Sequence, residues 1–163
     1  MVRTPKIKRE QIIEESYNLI LEEGFRKFRA ANIAKRMQCS PQPIYREFNS
    51  ISNLRTFIVK RTLMKYQDFL EDQNPRNITQ LTGSIINYAT DYPEEFHRFF
   101  LQDTTTLQLA KEITLKVFNR LNQPHSEHLY NVYWQYCLGK AVLAIAIPET
   151  HQAIDDFQAL LKE

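Results

Sequence analysis

Three polar side chains, Gln42, Tyr45 and Arg46, are spaced i, i+3 and i+4 within the stretch Ser40-Pro41-Gln42-Pro43-Ile44-Tyr45-Arg46-Glu47-Phe48. On a helix that spacing gathers them on one outer face and turns Ile44 and Phe48 inward. The Gln42 amide can bond adenine N6 and N7 together, and the rings of Pro41 and Pro43, which cannot donate, can pack on thymine methyls. Glu47 suits cytosine N4 or, the reading preferred here, stands as a solvated acid that repels phosphate. Other candidate chemistry is thin. His125 and His128 flank Glu127 at the start of a helix, a place where histidines are far more often solvated or capping than metal-bound, and no third ligand is evident. Cys137, near Trp134 and Lys140, reads as a buried inert thiol rather than a redox sensor. No nucleophile–base pair stands out by spacing, so neither an enzyme, a cofactor nor a metal is expected.

The elements that must position these residues are helical throughout. Residues 8–23 place Ile12, Ile13, Ser16, Leu19 and Ile20 in one stripe, and Gly24 stands where a left-handed C-cap belongs. A shorter helix over 29–38 buries Ala30, Ile33, Ala34 and Met37. A tight turn at Cys39 follows, then Ser40 as N-cap with Pro41 at N1 and Pro43 at N3, where missing amide hydrogens cost little. A long helix over 52–73 is expected to bury Leu54, Phe57, Ile58, Leu63, Tyr66 and Leu70. Further helices are expected over 77–92, 93–102, 105–122 and 126–147, and a last one from 149 onward, about nine in all. No strand pattern or internal repeat appears.

The 163 residues and 19.4 kDa suit one ordinary domain or two small ones sharing a core. Three glycines, Gly24, Gly83 and Gly139, are too few and too scattered for a phosphate-binding loop. Cys39 and Cys137 fit no disulfide or metal framework, which suits a reducing cytoplasm. No export signal is expected, and the longest apolar run, 141–147, is far short of the roughly 20 residues a membrane helix needs. The net charge of +2 hides an asymmetry: residues 1–61 carry 13 Lys/Arg against 6 Asp/Glu, and the remainder carries 8 against 13. A basic first third points to a polyanion, DNA or RNA first. Two short helices joined by a tight turn, the second with a polar outer face, form a helix-turn-helix unit suited to the major groove of DNA; the bland alternative is an αα-corner in a bundle.

Here a family resemblance becomes specific. Arg9–Ile20, Glu23-Gly24-Phe25, Asn32-Ile33-Ala34 and the stretch 40–48 followed by Leu54 resemble the N-terminal domain of TetR-type transcriptional repressors, without a gap over residues 8–60. The resemblance implies a DNA-binding domain over 1–51 and a helical effector-binding and dimerisation domain over 52–163. It implies that Pro41, Gln42 and Pro43 face base edges and that Ser40, Tyr45 and Arg46 hold phosphates. Arg29 stands where the family often has threonine, a stronger phosphate ligand. Ile51 replaces the lysine that often opens the fourth helix, leaving Arg55 to supply that contact. Gln38 stands where glycine is usual, so a left-handed conformation is expected of it. The basic arm, with Arg3, Lys6, Lys8 and Arg9, follows the DNA backbone, enters a minor groove or is a disordered, solubilising tail.

The second part holds most of the aromatics. Tyr88, Phe96, Phe99, Tyr130, Tyr133 and Trp134 read first as core and second as the lining of a pocket for a small aromatic or amphipathic ligand. By resemblance, such a ligand would tilt the long fourth helix and respace two reading heads. Leu129, Val132, Tyr136, Gly139, Leu143 and Ala146 share a face of the 126–147 helix, which resembles the family's dimer helix. The resulting expectation is a homodimeric repressor that leaves an inverted-repeat operator on binding a small effector. The alternatives are the same fold switched by a protein partner, and a helical interaction protein that does not bind DNA.

Overall fold

The computed structural model describes residues 7–121 and 126–147; Lys6, His125 and the helix expected from residue 149 lie outside them. Among the described residues all regular structure is helical. The chain divides into two compact units, Met1–Thr62 and Leu63–Glu163.

In the first unit, α1 (Arg9–Glu23) buries Ile12, Ile13, Ser16, Leu19 and Ile20, the stripe read from the sequence. Its N-terminus is closed by the Gln11 side chain, whose oxygen accepts the Lys8 backbone N–H at 2.8 Å. Gly24 ends it with φ 78° and ψ 176°, an extended positive-φ conformation open essentially to glycine alone, rather than the left-handed helical cap expected. A 3₁₀ turn (Phe25–Lys27) leads to α2 (Ala30–Arg36), which buries Ala30, Ile33 and Ala34, while Met37 is only half-buried. Arg36 reaches back to α1, bonding Glu15 at 3.1 Å and Glu22 through both guanidinium nitrogens at 2.6 and 3.0 Å. That pairing holds the exposed Glu22 carboxyl below its ordinary range.

α2 ends in a Schellman turn: the Cys39 N–H bonds the Ala34 carbonyl at 3.0 Å and the Gln38 N–H bonds that of Lys35 at 3.1 Å. The residue that pivots is Gln38, φ 52°, as expected from its place at a usual glycine; Cys39 only closes the ring. Gln38→Gly should therefore raise unfolding stability by about 0.5–1 kcal/mol, read from a urea transition, because glycine adopts this conformation without Cβ crowding.

α3 (Gln42–Phe48) starts one residue later than expected. Pro41 takes the N-cap position, its carbonyl accepting from Ile44 N–H at 3.0 Å, and no side chain caps the helix. The assignment of Ser40 as N-cap is thus corrected: Pro41, with φ −67°, already supplies the preset entry to the helix. Ile44 and Phe48 are buried as expected. The division between the units, Thr62/Leu63, falls inside α4 (Ile51–Gln73), whereas the sequence-based boundary stands at 51/52. In α4, Leu54, Ile58, Leu63, Tyr66 and Leu70 are buried, but Phe57 is 38% exposed.

In the second unit, α5 (Ile78–Asp91), α7 (Thr104–Arg120) and α8 (Glu127–Ala146) each begin at a polar N-cap. Asn77, Asp103 and Ser126 accept from Gln80, Thr106 and Leu129 N–H at 2.9, 3.1 and 3.1 Å. The segment expected as one helix over 93–102 is a single α turn, α6 (Pro93–Glu95), widening into a π-helical turn, Phe96–Leu101. The wider turn puts Phe96, Phe99 and Phe100 together in the core, and each such ring buried contributes about 1.5–3 kcal/mol.

Candidate nucleic-acid interface

α3 carries the face predicted for it. Gln42, Tyr45 and Arg46 are exposed, Tyr45 by 48% despite its large apolar ring, while Pro41 and Pro43 are half-buried beside them and Ser40 is exposed just upstream. Arg46 Nε donates to Glu47 Oε1 at 3.1 Å on the solvent side. Glu47 thus holds Arg46 until a competing anion displaces it, and so exposed a pair resists displacement weakly.

Four further basic residues lie on or near the 3₁₀ turn. Arg29 is exposed and occupies the N-cap position of α2. Arg55 is half-buried, its guanidinium 4.7 Å from the Phe25 ring centre, so its planar face is already stacked. Arg26 and Lys27, which sequence reasoning passed over, are exposed on the same turn, and Asn32 Nδ2 pins that turn by donating to the Lys27 carbonyl at 2.8 Å. Their signal was in the charge count alone, since nothing in local spacing separates them from a solvated tail. Lys8 is exposed ahead of α1. Arg9 is not: its guanidinium lies 4.1 Å above the Phe48 ring and 5.2 Å from that of Phe57.

The expected pocket residues are buried, Tyr88 and Phe96 against Phe100 and Tyr130 and Tyr133 against Phe118. Tyr88, Phe96, Phe99, Tyr130, Tyr133 and Trp134 are at most 5% exposed. Phe118 lies tilted against Tyr130 and Tyr133 at 5.2 and 4.9 Å, and Phe96 lies nearly parallel to Phe100 at 5.3 Å. Their hydroxyls have partners: Tyr130 donates to the Lys111 carbonyl at 2.5 Å, Tyr133 meets Thr82 at 3.2 Å, and Tyr88 bonds the buried Glu95 carboxylate, which also takes Lys65 Nζ at 3.1 Å. Cys137 is buried in this layer, 3.8 Å from Thr82, and burial pushes its thiol up to about 12. Cys39 is half-buried, its thiol raised more modestly by desolvation. A thiol reagent at pH 8 should therefore modify Cys39 in the folded protein and Cys137 only after denaturation, counted by absorbance.

α8 carries apolar residues on both sides, interspersed with His128, Asn131, Gln135 and Lys140. One side, Tyr130, Tyr133, Trp134, Cys137, Ala141 and Ala144, is buried. Of the expected dimer residues, Val132 and Leu143 are 41% and 49% exposed, Gly139 and Ala146 are exposed, and Leu129 and Tyr136 are half-buried. Among the described residues no group of three His, Cys, Asp or Glu could hold a metal ion, and no helix is long and apolar enough to cross a membrane.

No family model and no curated protein matches the sequence. Among solved structures, the chain aligns with a TetR-like transcriptional regulator from Rhodococcus sp. RHA1 at a TM-score of 0.62 and 12% identity, over 98% of this chain and 94% of that one. The chain has a TetR-like fold. Within the TetR-like frame, α2 and α3 are the helix-turn-helix pair that the spacing of residues 40–48 predicted.

Proposed function

We propose that the protein is a sequence-specific DNA-binding transcriptional regulator, acting as a homodimeric repressor that a small effector releases from an inverted-repeat operator. The observation that carries this reading is the α3 face, where Gln42, Tyr45 and Arg46 stand exposed over a buried Ile44–Phe48 base in a TetR-like fold. In the major groove, Gln42 and the rings of Pro41 and Pro43 read base edges. Ser40, Tyr45, Arg46, Arg29, Lys6, Lys8 and Arg55 supply phosphate contacts, which fix register without reading sequence. Dimerisation is supported by α8, whose Val132 and Leu143 are exposed on the side away from its buried residues among the described residues.

For the switch, an effector entering among Tyr88, Phe96, Phe99, Tyr130, Tyr133 and Trp134 would have to part rings that already satisfy one another. That packing favours a second reading, in which a protein partner shifts the same fold without occupying its core. Selection from a pool of randomised duplexes tests the DNA reading: enrichment of an inverted repeat supports it, and a pool unchanged after repeated rounds contradicts it. In the proposed dimer the half-site centres lie about one helical turn apart or a multiple of it.

A further inference from the structure

The N-terminal end of α3 has no side-chain cap; Pro41, whose fixed φ sets the entry, accepts Ile44 N–H there at 3.0 Å. Its C-terminal end is held from outside. Beyond its own cap, Asn49 N–H to the Tyr45 carbonyl at 2.8 Å, the Phe48 carbonyl accepts Asn53 Nδ2 at 3.0 Å and the Glu47 carbonyl accepts an Arg9 guanidinium nitrogen at 2.7 Å. Arg9 opens α1, and Asn53 lies in the first turn of α4. The Arg9 plane also stacks on Phe48, which belongs to α3, and approaches Phe57, which belongs to α4; the two rings meet edge-on at 5.9 Å. One guanidinium therefore joins three helices at the foot of α3. A cation there also complements the negative end of the helix dipole. This junction explains why Phe57 remains 38% exposed: its ring serves Arg9 rather than the core.

We infer that Arg9 is a positioning residue for sequence recognition, and not one of the arm's phosphate ligands: by clamping the C-terminal end of α3 between α1 and α4 it sets the direction in which Gln42 and Tyr45 project. The inference rests on the proposed DNA reading. It separates charge from geometry, because lysine keeps the positive charge at residue 9 but has neither the planar stacking face nor the fork.

The test uses the full-length protein and the duplex that the wild type selects from a randomised pool, beside a random duplex, both titrated over a salt series well below the unfolding temperature. Arg9→Lys should lose about tenfold in affinity for the selected duplex, which is the order expected when a charge-assisted hydrogen bond and its stacking go. Its affinity for the random duplex and its salt slope should stay at wild-type values. Asn53→Ala, which removes the neighbouring anchor and no charge, should show the same loss of preference if Arg9→Lys fails to fold. Retained preference in both variants would overturn the inference, as would lowered stability with unchanged preference in the folded protein. A shallower salt slope in Arg9→Gln, with equal weakening on both duplexes, would make Arg9 a phosphate ligand instead. A wild type that selects no duplex would overturn the DNA reading itself, and the inference with it.

Discussion

Leu143→Glu should convert the protein to a monomer at micromolar concentration and reduce its operator affinity by about two orders of magnitude or more. The residue is 49% exposed on the uncovered side of α8, beside Ala146 and Gly139, where a second copy of the helix can approach closely. In a two-fold interface each substitution appears twice, so two carboxylates would be buried against apolar surface without partners. Operator affinity falls with the dimer because the second half-site is then no longer bound intramolecularly, a linkage worth about 10² to 10⁴ in affinity. Sedimentation reports the assembly state, and helical circular dichroism shows that the fold persists. A dimer that survives Leu143→Glu, and also survives Val132→Glu on the same side, would place the interface elsewhere.

The second large effect separates two neighbours on α3. Gln42→Ala should cost about 1–3 kcal/mol per half-site on the operator and relax preference at one base pair, with little change on random duplex. Arg46→Ala should weaken binding to every duplex and flatten the salt dependence by about one unit per subunit. Glu47, which holds Arg46 at 3.1 Å, is left as an unpaired acid in the variant and adds to the loss by repelling phosphate. If the two variants behave alike on operator and random duplex, the division of labour between base reading and phosphate binding is wrong.

Much of the frame was legible in the residues. The α1 stripe came through side chain by side chain, because five inward positions on a 15-residue helix leave one consistent face. The α3 face was legible for the same reason, with Ile44 and Phe48 fixing which side turns in. The left-handed Gln38 was predicted only from the glycine that the resemblance puts there; its own chemistry gives no hint of it. Ser40 misled because it is a good capping residue next to a proline, and the helix instead used Pro41 itself. The π turn at Phe96–Leu101 could not be read, since an apolar cluster of Phe96, Phe99 and Phe100 fits an ordinary helix equally well. Phe57 and Arg9 were misjudged together. Periodicity treats Phe57 as core and Arg9 was read as part of the basic arm, and only geometry reveals that both meet Phe48.

The most direct test of the central claim is binding to duplex DNA from the region upstream of the protein's own gene, against random duplex, over roughly 50 to 200 mM salt, the range in which phosphate contacts are most visible. A TetR-like dimer that reads sequence through α3 should prefer one inverted repeat and lose affinity steeply as salt rises. Absence of binding even at the lowest salt would contradict the account and leave the exposed face of Gln42, Tyr45 and Arg46 to a partner other than DNA.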